Sequence, residues 1–288
     1  MLTILVTGAT GNVGMEVIKS LQDLTMPINV VAGVRDIETD SKKLRIAKVN
    51  VVKFDITNPS TFRDALTNCD ILFLLRPPQI SEVQKYFRPL IESAIQAKIK
   101  HIVFLSVQGV EKSKIIPHHK IEKLIVESKI PYTFLRPAYF MQNFTTTLRN
   151  DLVNKKRIFL PAGNAKFTLV DVSDIGKVAA KILSNTESHI NQAYELTSTV
   201  KYSFKQMAEK LTVGLGTRIE YTSPSLLNFY QVKRREKMPV MFILVMIMLH
   251  YFPRFQKAPM ITDCIKKITG DEPRSFEQFI SANKTLMI

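Results

Sequence analysis

The first fourteen residues constrain this chain more than any other segment. Thr3-Ile4-Leu5-Val6 is a short apolar run that leads directly into Thr7-Gly8-Ala9-Thr10-Gly11-Asn12-Val13-Gly14, after which Val13, Val17, Ile18, Leu21 and Leu24 recur at helical spacing. A strand, a glycine loop and a helix in that order form a phosphate cradle. Gly8 permits a sharp turn, Gly11 lets a ligand approach the backbone, and Gly14 lets the helix pack closely, while the first helical N–H groups face an anion. The expected occupant is the pyrophosphate of a dinucleotide, held by Gly8, Thr10, Gly11, Asn12 and Val13. An ordinary strand-to-helix turn would use glycines too, but it would not require this order of elements.

Length allows one large α/β domain, or a nucleotide-binding domain with a smaller second lobe, in 288 residues. Cys69 and Cys264 belong to no CxxC or Cys/His cluster, so neither a disulfide framework nor a metal site is expected. The N-terminus enters a strand at once, without the basic, apolar and small-residue stretches of a secretory signal, and the expected location is the reducing cytoplasm. The excess of 40 Lys+Arg over 25 Asp+Glu gives a formal charge of +15. These cations are spread along the chain and form no zinc-finger, RNP or basic-zipper pattern, so they read as solvated faces and no nucleic-acid partner is expected.

Apolar runs alternate with helical patterns through the first half. Strands are expected at 3–6, 30–34, 49–54, 71–75, 101–105 and 132–135, with helices starting near Asn12, Pro59, Gln79 and Pro117. Asn58 supplies a cap for the helix that begins at Pro59. Such alternation builds a parallel, doubly wound Rossmann-type sheet by right-handed crossovers. After Arg136 the rhythm changes, to a helix at 139–153, strands at 157–160 and 166–170, a helix at 173–183 and a strand at 192–197. Further helices follow at 204–211, 225–237, 239–251 and 275–282. The division expected is a nucleotide-binding domain over 1–136, to which parts of 166–197 return, and a smaller, mainly helical substrate lobe over 137–288.

Met238–Phe252 is an apolar run of fifteen residues preceded by Lys233-Arg234-Arg235. It is shorter than the roughly 20 residues of a membrane span. A buried helix or pocket wall is the favoured reading, and a helix lying on an anionic membrane surface is the alternative.

Several further segments share an order and spacing: Gly33-Val34-Arg35-Asp36, Phe54-Asp55-Ile56, Leu74-Leu75-Arg76-Pro77-Pro78, His101-Ile102-Val103-Phe104-Leu105-Ser106 and Ile130-Pro131-Tyr132-Thr133-Phe134-Leu135-Arg136-Pro137. With Phe140-Met141-Gln142-Asn143-Phe144, Val170-Asp171-Val172-Ser173-Asp174-Ile175 and Thr269-Gly270-Asp271-Glu272-Pro273-Arg274-Ser275-Phe276, the chain resembles the NmrA-like family of atypical short-chain dehydrogenases/reductases. The resemblance implies a Rossmann domain with a small C-terminal substrate lobe. It also implies NAD(P)H-dependent reduction of quinones or azo compounds, or redox sensing without turnover.

Arg35 ends the second strand, where an arginine can pair with a ribose 2′-phosphate and an acid would bind a 2′-hydroxyl, so NADP(H) is favoured over NAD(H). Asp36 beside it competes with that reading. Asp55 ends the third strand, where the resemblance implies a contact with the adenine edge, and a carboxylate turning the chain before Asn58 is the alternative. Leu74, Leu75, Arg76 and Ser106 end strands at the carboxyl edge where open α/β sheets bind ligands. The resemblance puts the 74–76 loop by the nicotinamide ribose.

No Tyr-x-x-x-Lys pair is present, so the usual proton donor of carbonyl reduction is missing. The resemblance places the lysine position of some reductases on His118, with Glu122 one turn later. A histidine titrating near neutrality could relay a proton there, and a polar helix start is the plainer alternative. Tyr139 and Asn143 share one face if 139–153 is a helix, and the resemblance puts that face over the nicotinamide, as a substrate contact with Tyr139 as a second catalytic candidate. Asp171 and Asp174 read as a strand exit and a helix cap. The leading reading is hydride transfer from NADPH to a flat apolar acceptor such as a quinone. The alternative is a non-catalytic NADP(H) sensor acting through a protein partner.

Overall fold

The computed structural model describes residues 1–44 and 49–288. In chain order the first run is β1 (Leu2–Val6), α1 (Asn12–Gln22), β2 (Ile28–Val34), α2 (Ile37–Leu44), β3 (Asn50–Lys53), α3 (Phe62–Leu66) and β4 (Ile71–Leu75), then α4 (Val83–Gln96), β5 (His101–Leu105), α5 (Pro117–Glu127) and β6 (Tyr132–Pro137). There follow β7 (Tyr139–Phe140), α6 (Arg149–Lys155), β8 (Arg157–Phe159), β9 (Lys166–Val170), α7 (Val172–Ser184), β10 (Gln192–Leu196), β11 (Lys201–Ser203), α8 (Phe204–Leu215) and β12 (Glu220–Thr222). The chain ends with α9 (Leu226–Arg235), α10 (Val240–Tyr251), α11 (Cys264–Thr269), α12 (Phe276–Ala282) and α13 (Lys284–Met287). Two compact units result: Met1–Pro137 with Val172–Leu196 and Asp263–Glu272, and Ala138–Asp171 with Thr197–Thr262 and Pro273–Ile288. Of the segment 166–197, α7 and β10 lie in the first unit and β9 in the second.

The first unit is built on a seven-stranded sheet in the order β10-β6-β5-β4-β1-β2-β3, every pair parallel. The chain starts in the middle, winds out through β2 and β3, then crosses back to β4. Strand order therefore reverses between β1 and β4, and it is there that a doubly wound sheet opens a ligand crevice beyond its carboxyl ends. The two-residue period of a strand divides the apolar residues between two faces. Leu5, Leu72, Leu74, Ile102, Phe104 and Phe134 pack with Phe62 of α3, Phe87 and Leu90 of α4 and Ile121 of α5. The other face is covered by α1 and α7, which pack so closely that a Cβ on Gly176 would lie 2.7 Å from the Glu16 carbonyl oxygen.

The second unit has a three-stranded sheet, β11-β9-β7, and the parallel pair β12-β8, packed with helices around Phe144, Phe204, Met207, Phe229, Phe276 and Phe279. Its helix starts are written locally: Ser203 with Gln206, and Ser275 with Gln278, form capping boxes on α8 and α12, and Ser225 caps α9. Asp151 and Lys233, both almost fully buried, form an ion pair extended by Lys155, Arg157 and Glu236.

Four expectations change. The helix expected over 139–153 is interrupted: β7 is a two-residue strand, Met141–Phe144 is a 3₁₀ turn, and only Arg149–Lys155 is α-helical. The helix expected near Gln79 starts at Val83, because the preceding loop is tied down by Arg76, which donates to the carbonyls of Pro77, Pro78 and Ile80. Asp174 lies inside the first turn of α7 rather than capping it. The apolar run Met238–Phe252 is core along one stripe only: Ile243, Met246 and His250 are buried, while most of α10 is exposed. No described helix is long and apolar enough to cross a membrane.

Candidate functional site

Strand β1 delivers the glycine loop to the switch point of the sheet. Gly8 has φ +59°, a left-handed conformation that an L side chain resists, and a Cβ there would press on Leu75 at 3.0 Å. Gly14 is fixed by packing: its Cβ would meet the Gly8 carbonyl oxygen at 2.3 Å. Gly11 differs, since its φ is −82° and a Cβ would lie 3.2 Å from that oxygen, so the position is tight but open to solvent. Gly11 is the N-cap of α1 and offers no side chain to the helix, and the first turn carries no acid. The uncapped N–H groups and the positive end of the helix dipole are thus left for an anion beside Gly8, Gly11 and Asn12, all exposed. Thr10 is half-buried and Val13 buried in the same loop.

Thr7 ties this loop to β4. Its N–H and hydroxyl both donate to the Phe73 carbonyl, at 3.0 and 3.1 Å, and its Oγ1 accepts from the Leu75 N–H at 2.9 Å. The Leu74 side chain is fully buried in the α3–α5 core, so only its backbone is available to a ligand, whereas Leu75 faces Gly8. Arg76 donates through Nε to His118 Nε2 at 3.2 Å. An imidazole nitrogen that accepts from a guanidinium carries no proton, which leaves the hydrogen on Nδ1. Burial, then the neighbouring Arg76, push His118 down to about 3, so it is neutral at pH 7. The expectation of a near-neutral His118 is corrected by that desolvation. Ser106, at the end of β5, is buried and its hydroxyl has no partner among the described residues. Such an orphan is uncommon in a folded interior and is a natural ligand contact.

At the end of β2, Arg35 is exposed and makes no hydrogen bond or ion pair with a described residue. Asp36 is turned away to cap α2: its Oδ1 accepts from the N–H groups of Glu38 and Thr39, bonds that hold its carboxyl below the usual range. Asp55 folds onto its own turn, accepting from both the N–H and the hydroxyl of Thr57.

Tyr139 and Asn143 lie in the second unit. No α-helix joins them, but the Asn143 side chain lies close enough to the phenol to influence its titration. Tyr139 packs against Phe167 and Phe204, and burial pushes its hydroxyl well above the usual tyrosine range, with Asn143 opposing. Its hydroxyl lies 3.2 Å from His250 Nε2. His250 Nδ1 is 2.6 Å from the Met246 carbonyl, so Nδ1 holds the ring hydrogen and Tyr139 donates to Nε2. Burial pushes His250 down to about 4 against that backbone bond.

The contacts of Thr7, of His250 and of the Glu122–Arg136 pair are not visible in the sequence. Arg136 donates to Glu122 at 3.0 and 2.7 Å, a bidentate pair that fixes α5 on β6. The one signal for His250 was local: it is the only ionisable residue of Met238–Phe252 apart from Tyr251.

Three comparisons bear on this architecture. Over 279 residues, covering 96% of this chain and 91% of the relative, the sequence is 29% identical to Prestalk A differentiation protein A of Dictyostelium discoideum. It is 28% identical to the NAD(P)H azoreductase of Xenophilus azovorans, across 97% of each chain. The fold superposes on the Citrobacter sp. triphenylmethane reductase complexed with NADP(H) with a TM-score of 0.85, at 24% identity over 99% of this chain and all of that one. The family model described as NmrA-like family matches residues 2–280, and the chain belongs to that family.

Proposed function

We propose that the protein is an NAD(P)H-dependent oxidoreductase that prefers NADP(H) and passes hydride to a flat conjugated acceptor such as a quinone. The observation that carries this reading is the pairing, in one unit, of the uncapped α1 start behind Gly8 and Gly11 with the unpartnered Ser106 hydroxyl. The first fits a pyrophosphate and the second a carboxamide or acceptor oxygen. The azoreductase relative, whose name gives it a conjugated substrate, supports the acceptor class.

A bound reduced nicotinamide supplies the hydride. The chain's own residues position it and exclude water. Asn12 and Val13 N–H groups bind the pyrophosphate, the Leu74 backbone and Leu75 border the ribose, and Arg35, freed by the turning of Asp36 onto α2, meets a 2′-phosphate. Arg76 locks His118 as a neutral imidazole with its hydrogen on Nδ1, a hydrogen-bond donor rather than a strong acid. That suits an acceptor that gains electrons readily and needs orientation more than protonation. Tyr139 and Asn143 are assigned to the acceptor, and Asp55 to the chain turn.

The test is NADPH consumption against a panel of quinones, azo dyes and carbonyls, with cofactor titrations on Arg35→Ser. Turnover with planar acceptors is expected. A charge-assisted bond to phosphate contributes about 1.5–3 kcal/mol, so Arg35→Ser should weaken NADPH roughly ten- to a hundredfold and leave NADH nearly unchanged. His118→Ala should lower turnover more than NADPH affinity. No consumption with any acceptor, together with different effects of NADP+ and NADPH on affinity for a protein partner, would establish the sensor instead.

A further inference from the structure

Helix α10 presents an exposed apolar surface to which the proposed function assigns no role. Ile243, Met246 and His250 are buried, whereas Met241 (72% exposed), Leu244, Val245, Met248, Leu249 (50%) and Phe252 (54%) recur at three- and four-residue spacing on its solvent side. No polar side chain interrupts this stripe. A continuous exposed apolar face of this kind marks a docking surface. The helix has 12 residues, too few for the roughly 20 that a span requires, so it can lie on a bilayer but not cross one.

The charges around the stripe decide what it meets. Arg234, Arg235 and Lys237 precede the helix and Arg254 and Lys257 follow it, all exposed and none paired with a described carboxylate. Glu236 is the one acid between residues 224 and 262, and it is taken up by Lys155 and Lys233. Lys233 itself is buried and belongs to the Asp151 pair. The cations at both ends are held near the helix: Arg234 donates to the Met238 carbonyl at 2.9 Å, and the Arg254 guanidinium sits 5.0 Å from the centre of the Tyr251 ring.

We propose that α10 docks the protein on an anionic lipid surface. The helix lies in the interface plane, with Met241, Leu244, Met248, Leu249 and Phe252 at the acyl boundary and the five flanking cations among the headgroups. A second copy of the chain is the poorer occupant, because a two-fold contact would set five cations against the same five.

Co-sedimentation with vesicles tests this. The full chain should bind vesicles of equal parts phosphatidylserine and phosphatidylcholine, bind pure phosphatidylcholine far less, and release as salt is raised. Arg234→Ser with Arg235→Ser should weaken binding tenfold or more, from about 1 kcal/mol per cation. Met248→Glu with Leu249→Glu should abolish it, while circular dichroism melting of both variants stays at wild type because every replaced side chain is exposed. Failure to bind mixed vesicles, equal binding to both vesicle types, or binding indifferent to both variants overturns the proposal. So does a dimer that the Met248→Glu pair dissolves in a protein with no vesicle affinity.

Discussion

Single atoms separate the duties of two loop glycines, Gly14 and Gly11. A methyl on Gly14 would collide with backbone, the Gly8 carbonyl oxygen at 2.3 Å, and that backbone cannot move without displacing α1 from β1. A methyl on Gly11 meets the same oxygen at 3.2 Å, where a shift of a few tenths of an ångström suffices, and the position is exposed in the loop proposed for the pyrophosphate. Gly14→Ala is therefore expected to destabilise the fold by about 1–3 kcal/mol, as overpacking does. Gly11→Ala is expected to melt near wild type and lose at least tenfold in NADPH affinity. Urea unfolding and nucleotide fluorescence titration of the two variants separate the effects, and unchanged NADPH binding in Gly11→Ala would remove the cradle assignment.

Between elements, the buried pair of Asp151 on α6 and Lys233 on α9 is the most demanding contact of the second unit. Their side chains are 4% and 5% exposed, so neither charge is offset by water. Burial pushes the Asp151 carboxyl up, but Lys233, Lys155 and Arg157 together hold it below the usual range. Asp151→Asn leaves Lys233 buried with Glu236 alone and should cost about 3 kcal/mol. The sign of the pH dependence follows from the lowered value. The pair's contribution is fully present above the unfolded aspartate pKa of about 3.9 and is lost as pH falls through the folded one. Acid unfolding below about pH 4 should accordingly be shallower in Asp151→Asn than in the wild type.

Over the whole molecule, histidine burial sets the response to mild acid. Burial, with His189 nearby, pushes His101 down to about 4, while His118 and His250 lie at about 3 and about 4. The unfolded chain binds protons at these three sites near pH 6.5 and the folded one does not. Stability is then complete above pH 6.5 and falls as pH drops toward 4, by about 1.4 kcal/mol per group per pH unit. Urea unfolding at pH 7 and pH 5 should show the decrease, with protons taken up on unfolding. A flat profile across that range would mean that these imidazoles are hydrated in the native state.

Local pattern alone determined the β1–loop–α1 order, the parallel alternation as far as β6, and the Asn58 cap, because period, turn chemistry and capping act over a few residues. It also marked Arg35 and Ser106 as strand-end residues. It did not reveal that Asp36 caps α2, that Lys233 is buried rather than part of a basic patch, or that Tyr139 meets His250 across 111 residues of chain. Nor did it reveal which side of α10 is buried, since a helix apolar all round carries no phase. Each of these depends on a partner distant in sequence, whose identity and desolvation exist only once the chain has packed, and so tertiary structure alone decided them.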